Sequence, residues 1–358
     1  MKDKFRILAI NPGSTSTKVA VYDNEQLLYE EVVRYSNAEL AAFTTVIGQY
    51  QFRKNGILTL LAENNIAIDI LDAVVGRGGL LKPIEGGTYA VNETMIKDLR
   101  LAHRGEHASN LGGIIAKEIA DTLAIPAFIV DPVVVDELAD IAKISGLPAY
   151  DRISIFHALN QKAVARKISR ELGKPYNEVN LIIAHMGGGI SVGVHTGGKV
   201  VDVNNALCGE GPFSPERAGG ISTGYLIELC FSGKYSMSEV RKLLVGQGGL
   251  VGYLGTNDGR EVGRMIAAGN AKAKLVYEAM AYQIAKEIAA GSAAVAGRVD
   301  SIVLTGGLAY DQLLVKLITD RVQFIADIKV VPGENEMIAL AEGALRVLSG
   351  EEQAKVYQ

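Results

Sequence analysis

Residues 181–205 read LIIAHMGGGISVGVHTGGKVVDVNN, three short apolar segments separated by two glycine-rich turns. The apolar run at residues 181–184 predicts a buried strand, from which His185 and Met186 lead into Gly187, Gly188 and Gly189. Residues 190–194 predict a second strand, Thr196, Gly197 and Gly198 a turn, and residues 199–203 a third strand. Glycines between two strands let backbone N–H groups approach a ligand with no Cβ in the way, and such nests bind phosphate oxygens. The same layout stands near the N-terminus: a strand at residues 5–10, a polar turn at 11–17, then strands at 18–22 and 26–34. One unit is written twice, once in each half of the chain. A single Gly-rich hairpin is an ordinary turn. Two in equivalent places imply paired loops that hold a polyphosphate from both sides of a cleft closing by domain motion. In the first copy Asn11, Ser14, Ser16 and Lys18 supply donors, although Lys18 also fits an exposed strand position.

At 358 residues the chain exceeds one ordinary core, which implies two domains. Apolar residues at 48% and charged residues at 21% describe a soluble globular protein, and a net charge of −4 gives no electrostatic reason to expect nucleic acid or an anionic membrane as partner. The N-terminus lacks the apolar core of a signal peptide, and no apolar run approaches the ~20 residues of a membrane span. Cys208 and Cys230 make neither a disulfide framework nor a metal cluster and read as reduced thiols of a cytoplasmic protein.

Between the two meanders, residues 37–64 predict a helix, 72–76 a short strand running into Arg77, Gly78 and Gly79, and 94–101 and 109–123 two further helices. A strand at 126–130 ends at Asp131. Residues 148–152 read as a hinge, and 155–172 as a helix ending at Gly173. After the second meander come a turn-rich loop at 209–215, an Ala-rich helix over about 271–296, and a strand at 301–304 that ends in Thr305, Gly306 and Gly307. A last strand at 329–331 and a terminal helix at 337–348 follow. Strands alternating with helices imply crossovers and a partly parallel sheet. The expected domains are 1–150 and 151–334, with residues 335–358 returning to the first. Gly193 to Lys199 satisfies the spacing of a P-loop, but Val200 replaces the metal-binding hydroxyl and a strand follows where a helix is required.

Arg77 follows a buried strand and precedes two glycines, a poor place for a merely solvated arginine. His157 stands near the start of an amphipathic helix, where capping, core and catalytic roles are all open. His107 and Glu336 each open a helix and also fit cap-region positions; His103 and His195 read as structural.

With these residues placed, the sequence resembles the acetate and butyrate kinase family, within the actin, sugar-kinase and heat-shock ATPase superfamily. The likeness runs over nearly the whole chain. It rests on the turn at 11–18, Arg77-Gly78-Gly79, the segment at 106–111, Val130-Asp131-Pro132, Ile155-Phe156-His157 and His185 with the three glycines. It continues through residues 211–217, 256–260, Thr305-Gly306-Gly307 and Glu334-Asn335-Glu336, and several of these segments are worded as in the butyrate-specific members. The resemblance implies a duplicated ribonuclease-H-like, actin-like ATPase fold of α/β class with ATP and Mg²⁺ in the interdomain cleft, and a homodimer. It places Asn11 and Glu336 near the metal, and Arg77, Asp131, His157 and Arg217 around the transferred phosphoryl group and the carboxylate. His185, Gly187, Gly188 and Gly189 would hold ATP phosphates with Ser14 and Lys18. Asp258, Arg260, Gly306 and Gly307 would line the adenosine pocket. Gly78, Gly79, His107, Phe156 and Pro215 would shape the acid pocket, the small residues leaving room for butyrate or isobutyrate.

The implied reaction is ATP + carboxylate ⇌ ADP + acyl phosphate. A carboxylate is already an anionic nucleophile at neutral pH, so the site must chiefly bring two anions together and neutralise charge on the phosphoryl oxygens. Permanently charged, fork-shaped arginine suits that task. Kinases of propionate, branched-chain acids or acetate are the alternatives, and an actin-like ATP-binding protein without catalysis is a more distant one.

Overall fold

The first meander forms where the order of apolar runs and turns places it. In the computed structural model, which describes Lys2 and residues 4–358, β1 (Arg6–Pro12), β2 (Ser16–Asp23) and β3 (Gln26–Arg34) pair antiparallel in succession. Ile7, Leu8, Ala9 and Ile10 have no exposed surface, so β1 is covered on both faces. Two helices follow, α1 (Asn37–Ala41) and α2 (Tyr50–Glu63), where the periodicity predicts one over 37–64. The interruption carries Phe43, Thr44 and Thr45, side chains that lose rotamer freedom in a helix. Thr45 Oγ1 instead accepts from Gly48 N–H at 3.1 Å and opens a tight turn at Ile47–Gln49. Next come β4 (Ala73–Arg77), β5 (Thr88–Ala90), α3 (Glu93–Leu101), α4 (Asn110–Leu123) and β6 (Ala127–Val130).

The second meander is β7 (Leu181–Met186), β8 (Ile190–Thr196) and β9 (Lys199–Val203), preceded by α5 (Asp140–Lys143) and α6 (Ala158–Glu171). The helices α7 (Thr223–Phe231), α8 (Met237–Leu244), α9 (Gly249–Leu254), α10 (Gly259–Ala267) and α11 (Ala271–Ser292) separate it from β10 (Ser301–Gly306), α12 (Gln312–Val322) and β11 (Ile328–Pro332). The chain closes with α13 (Glu336–Leu348) and β12 (Lys355–Val356).

Two sheets result, ordered β12-β5-β6-β4-β1-β2-β3 and β11-β10-β7-β8-β9. Each contains the same arrangement: an antiparallel meander whose first strand is extended by two parallel strands, β4 and β6 in one, β10 and β11 in the other. The sequence repeat is therefore a repeat of sheet topology. The strands β5 and β12, three and two residues long, extend only the first sheet and are too short to show periodicity.

The compact units are Met1–Val135 with Asn335–Gln358, and Asp136–Glu334. This corrects the expected boundary near residue 150. Residues 136–150 belong with the second unit because Ala139 N–H donates to Val201 O at 2.9 Å and Glu137 forms a buried ion pair with Lys162 at 2.8 Å. In the first unit α13 lies on the sheet through its buried Met337, Ala339, Leu340, Ala341 and Ala344. In the second unit β7 sorts its side chains by parity. Ile182, Ala184 and Met186 enter the core beneath α11 and α12, while Leu181 and Ile183 face α6 through Val164, Ala165 and Ile168. His185 shares that second face.

Candidate active site

In the first unit β1, β4 and β6 are adjacent and parallel, so their carboxyl ends lie along one edge, where open α/β sheets bind ligands. That edge carries Asn11, Arg77 and Asp131. Glu336, the first residue of α13, joins them: its carboxylate accepts from Arg77 Nη1 at 2.8 Å and from Asn11 Nδ2 at 2.5 Å. Arg77 Nη1 also lies 3.3 Å from Asn11 Oδ1. Asn335, just before the helix, has φ 43°, and Asp131 has φ 38°, both in the left-handed region. Such strain in a buried aspartate is held by its surroundings: Gly87 N–H donates to Asp131 Oδ1 at 2.6 Å, and Asp131 N–H to Gly87 O at 3.1 Å.

His107 Nδ1 accepts from Ser109 N–H at 3.2 Å and lies 2.8 Å from Ser109 Oγ. Its proton therefore sits on Nε2. Burial, and then the nearby Arg77 charge, hold its pKa below the ordinary histidine value. Gly78 and Gly79 do not open the acid pocket as expected. A Cβ at Gly78 would meet Pro132 Cβ at 2.6 Å, and one at Gly79 would meet Asn110 Oδ1 at 2.4 Å, so the space is already filled. Lys18 makes a 2.9 Å cross-strand ion pair with Glu30. Ser14 is exposed at the tip of the first turn.

In the second unit His185 ends β7, and Gly187, Gly188 and Gly189 form the turn into β8. Residues 214–217 clamp that turn. Ser214 Oγ donates to Gly188 O at 2.6 Å and Glu216 N–H to the same oxygen at 3.3 Å. Arg217 fills the volume that a Cβ at Gly189 would need and donates through Nη1 to Ala206 O. Burial lowers the Arg217 pKa from its ordinary value, and Nε has no partner among the described residues. His157 is the N-cap of α6 rather than a residue within it, with φ −80° and ψ 60°. Its ring stacks on His185, centroids 3.9 Å apart. Phe156 and Pro215 are both buried. The β10 strand pairs with β7 so that Thr305 lies beside His185, which sets Gly306 and Gly307 next to the glycine turn. Asp258 caps α10 and binds Arg260 through both carboxylate oxygens, at 3.1 and 3.0 Å.

A model of the Acetokinase family matches residues 149–354. Butyrate kinase 2 of Clostridium acetobutylicum is 56% identical over 355 residues, covering 99% of this chain and 100% of that protein. The chain belongs to the acetokinase family. Among solved structures, acetate kinase from Porphyromonas gingivalis superposes with a TM-score of 0.78 at 20% identity, over 95% of this chain and 99% of that one. A propionate kinase from Francisella tularensis gives 0.74 at 19%, over 95% and 98%. At such identities the likeness is one of fold, and the fold is the duplicated ribonuclease-H-like, actin-like ATPase architecture.

Several residues that hold the candidate turns and histidines in place carry no motif. Arg53 is 1% exposed and turned inward. It donates to Gly13 O at 2.7 Å, Ser14 O at 2.7 Å and Ser16 O at 3.0 Å, and so grips the first hairpin turn from beneath. Gln49 Oε1 accepts from its Nε at 3.1 Å, and the guanidinium lies 4.7 Å from the Tyr35 ring centre. The one sequence signal is positional: Arg53 shares the buried stripe of α2 with Ile57 and Leu61. Asn160, Gln161, Ser191 and His195, all buried around His157 and His185, were equally silent.

Proposed function

We propose that this chain is a carboxylate kinase that moves the γ-phosphoryl group of ATP to a short-chain acid, with butyrate the preferred acceptor and butyryl phosphate and ADP the products. The observation that carries this is Arg77 held by Glu336 and Asn11 at the carboxyl ends of parallel strands. A fixed, permanently charged fork there answers the need of two mutually repelling anions, and a general base is not required. Family membership and the butyrate kinase relative support the same reading.

Kinases of this family work with ATP and Mg²⁺. Mg²⁺ takes hard oxygen donors, commonly one or two carboxylates together with phosphate oxygens. The Glu336 carboxylate and the Asn11 amide oxygen are donors of that kind, and the two side chains stand together on this edge, joined by an Asn11 Nδ2–Glu336 hydrogen bond of 2.5 Å, so they would hold the ion through their oxygens. When bound, Mg²⁺ neutralises charge on the phosphate oxygens. In this reading Arg77 grips phosphoryl or carboxylate oxygens and Asp131 orients the groups around it. His157 donates to an equatorial oxygen, and Arg217 supplies a second cation. His185 and residues 187–189 take ATP phosphates together with Ser14. Asp258, Arg260, Gly306 and Gly307 face the adenosine, and His107, Phe156 and Pro215 border the acid.

The acceptor is tested by trapping acyl phosphate with hydroxylamine across acids of two to five carbons. The expected result is the highest kcat/KM on butyrate, with falls of about 10–200-fold per methylene changed. A best value on acetate would remove butyrate as the preferred acid. ATP binding without acid-dependent ADP release would favour an actin-like, non-catalytic role.

A homodimer is part of the proposal. Tyr225, Phe231, Met237 and Leu275, on α7, α8 and α11, are 72%, 86%, 74% and 68% exposed, apolar side chains that a second copy of the chain would cover. A cytoplasmic location fits the free Cys208 and Cys230, and among the described residues no helix is long and apolar enough to cross a membrane.

A further inference from the structure

His157 is joined to a file of buried polar side chains whose hydrogen bonds admit one direction. On β8, Ser191, Gly193 and His195 alternate with Val192 and Val194, and so share the face turned to α6. Gln161 of α6 lies across that face. Its Nε2 is 3.1 Å from Ser191 O and 2.8 Å from Ser191 Oγ, and its Oε1 is 3.0 Å from His195 Nε2. Tyr176 Oη is 2.8 Å from His195 Nδ1, and Ser191 Oγ is 2.9 Å from His157 Nδ1. Gln161, Ser191 and His195 have no exposed surface.

The direction is anchored by a backbone carbonyl. Ser191 O can only accept, so Gln161 must turn its NH₂ toward Ser191 and its oxygen toward His195. His195 must then donate from Nε2. Burial, followed by the charges of Lys162 and Arg166, keeps this imidazole well below its ordinary pKa and therefore neutral. A neutral ring with its proton on Nε2 accepts at Nδ1, so Tyr176 donates there. At the other end, Ser191 Oγ receives Gln161 N–H and, at 3.5 Å, the backbone N–H of His157. With both lone pairs engaged, its hydroxyl hydrogen goes to His157 Nδ1. His157 is left with its proton on Nε2. Space for this file is provided by Gly193, where a Cβ would stand 2.4 Å from Gln161 Oε1.

We propose that Tyr176, His195, Gln161 and Ser191 are positioning residues that hold His157 as the neutral tautomer with an Nε2–H donor, ready for the phosphoryl oxygen. This rests on the phosphoryl-transfer reading above. His185 needs a separate restraint, because the two rings are stacked. Its Nδ1 lies 2.8 Å from Asn160 Oδ1, while Asn160 Nδ2 donates to Glu334 O at 2.8 Å. The stacked rings thus carry their buried-side protons oppositely: His185 donates toward α6, and His157 accepts.

The test uses full-length protein labelled with nitrogen-15 at histidine, with His157 assigned by comparison with His157→Asn. Long-range proton–nitrogen spectra of the wild type should show His157 protonated on Nε2. Ser191→Ala should lose that preference and lower kcat about 10–100-fold, with KM for ATP and acid nearly unchanged. Gln161→Glu, which can accept but not donate toward Ser191, should move the His157 proton to Nδ1. If that variant does not fold, Gln161→Leu, which removes the donor to Ser191 Oγ, should likewise weaken the His157 preference for Nε2. A wild-type proton on Nδ1 would overturn the proposal. So would a folded Ser191→Ala that loses stability and activity while the His157 spectrum stays unchanged. The spectra need no substrate. A wild type lacking carboxylate-dependent turnover would therefore sink the functional reading while leaving the tautomer measurement intact.

Discussion

Arg77→Ala is expected to lower kcat/KM for acyl phosphate formation by about 10³-fold or more, the scale on which arginines act on a transferring phosphoryl group. The protein should remain folded. A quarter of the Arg77 side chain is exposed, so its pair with Glu336 contributes on the order of 1 kcal/mol or less to stability. The two magnitudes separate a chemical role from a structural one. Arg77→Lys should recover only part of the loss, because an ammonium keeps the charge but cannot grip two oxygens in one plane. Steady-state kinetics beside a thermal melt check both. Full turnover in a folded Arg77→Ala protein would discard this arginine as the bridging cation.

Arg53→Met is expected to cost about 3 kcal/mol in denaturant unfolding, from the Gly13 and Ser14 carbonyl groups left without a donor at ~1–3 kcal/mol each, while Ser16 O keeps the Gly13 N–H at 2.8 Å. The affected oxygens lie in the turn that follows Asn11. Ser14 and Thr15 are exposed, so water can replace part of the lost bonding and the cost stays below the sum. The same variant should raise KM for ATP, because the turn loses its underlying support. An unchanged unfolding midpoint with unchanged KM would show that the turn keeps its shape unaided.

The fold was legible because its repeat is written in short apolar runs, each ending at a polar or glycine-rich turn. The runs before Asn11 and before His185 each mark a strand buried on both faces, and each is followed by a turn and two more strands. The edge additions β5 and β12 were not legible, since three and two residues carry no period. The break between α1 and α2 lay in side-chain competition at Thr45, which a periodicity count passes over. The placement of candidate site residues was legible where a glycine-flanked charge follows a buried strand, as at Arg77 beside Asn11 and Glu336. They were misread where sequence gives size but not neighbours: Gly78 and Gly79 are small because Pro132 and Asn110 occupy the adjoining space. His195 reads as structural in sequence, and it is fully buried. Its place in a directional file depends on Gln161, which lies 34 residues earlier and meets it only once α6 covers β8.

In this mechanism a carboxylate oxygen itself attacks the phosphorus of ATP. That attack is tested most directly with butyrate carrying heavy oxygen in both carboxylate positions, incubated with ATP, Mg²⁺, the protein and hydroxylamine. Hydroxylamine attacks the acyl carbon, so the bridging oxygen leaves with phosphorus. The expected product is inorganic phosphate bearing a single heavy oxygen, formed in step with butyryl hydroxamate. Phosphate released without label would show water as the acceptor and contradict the assignment.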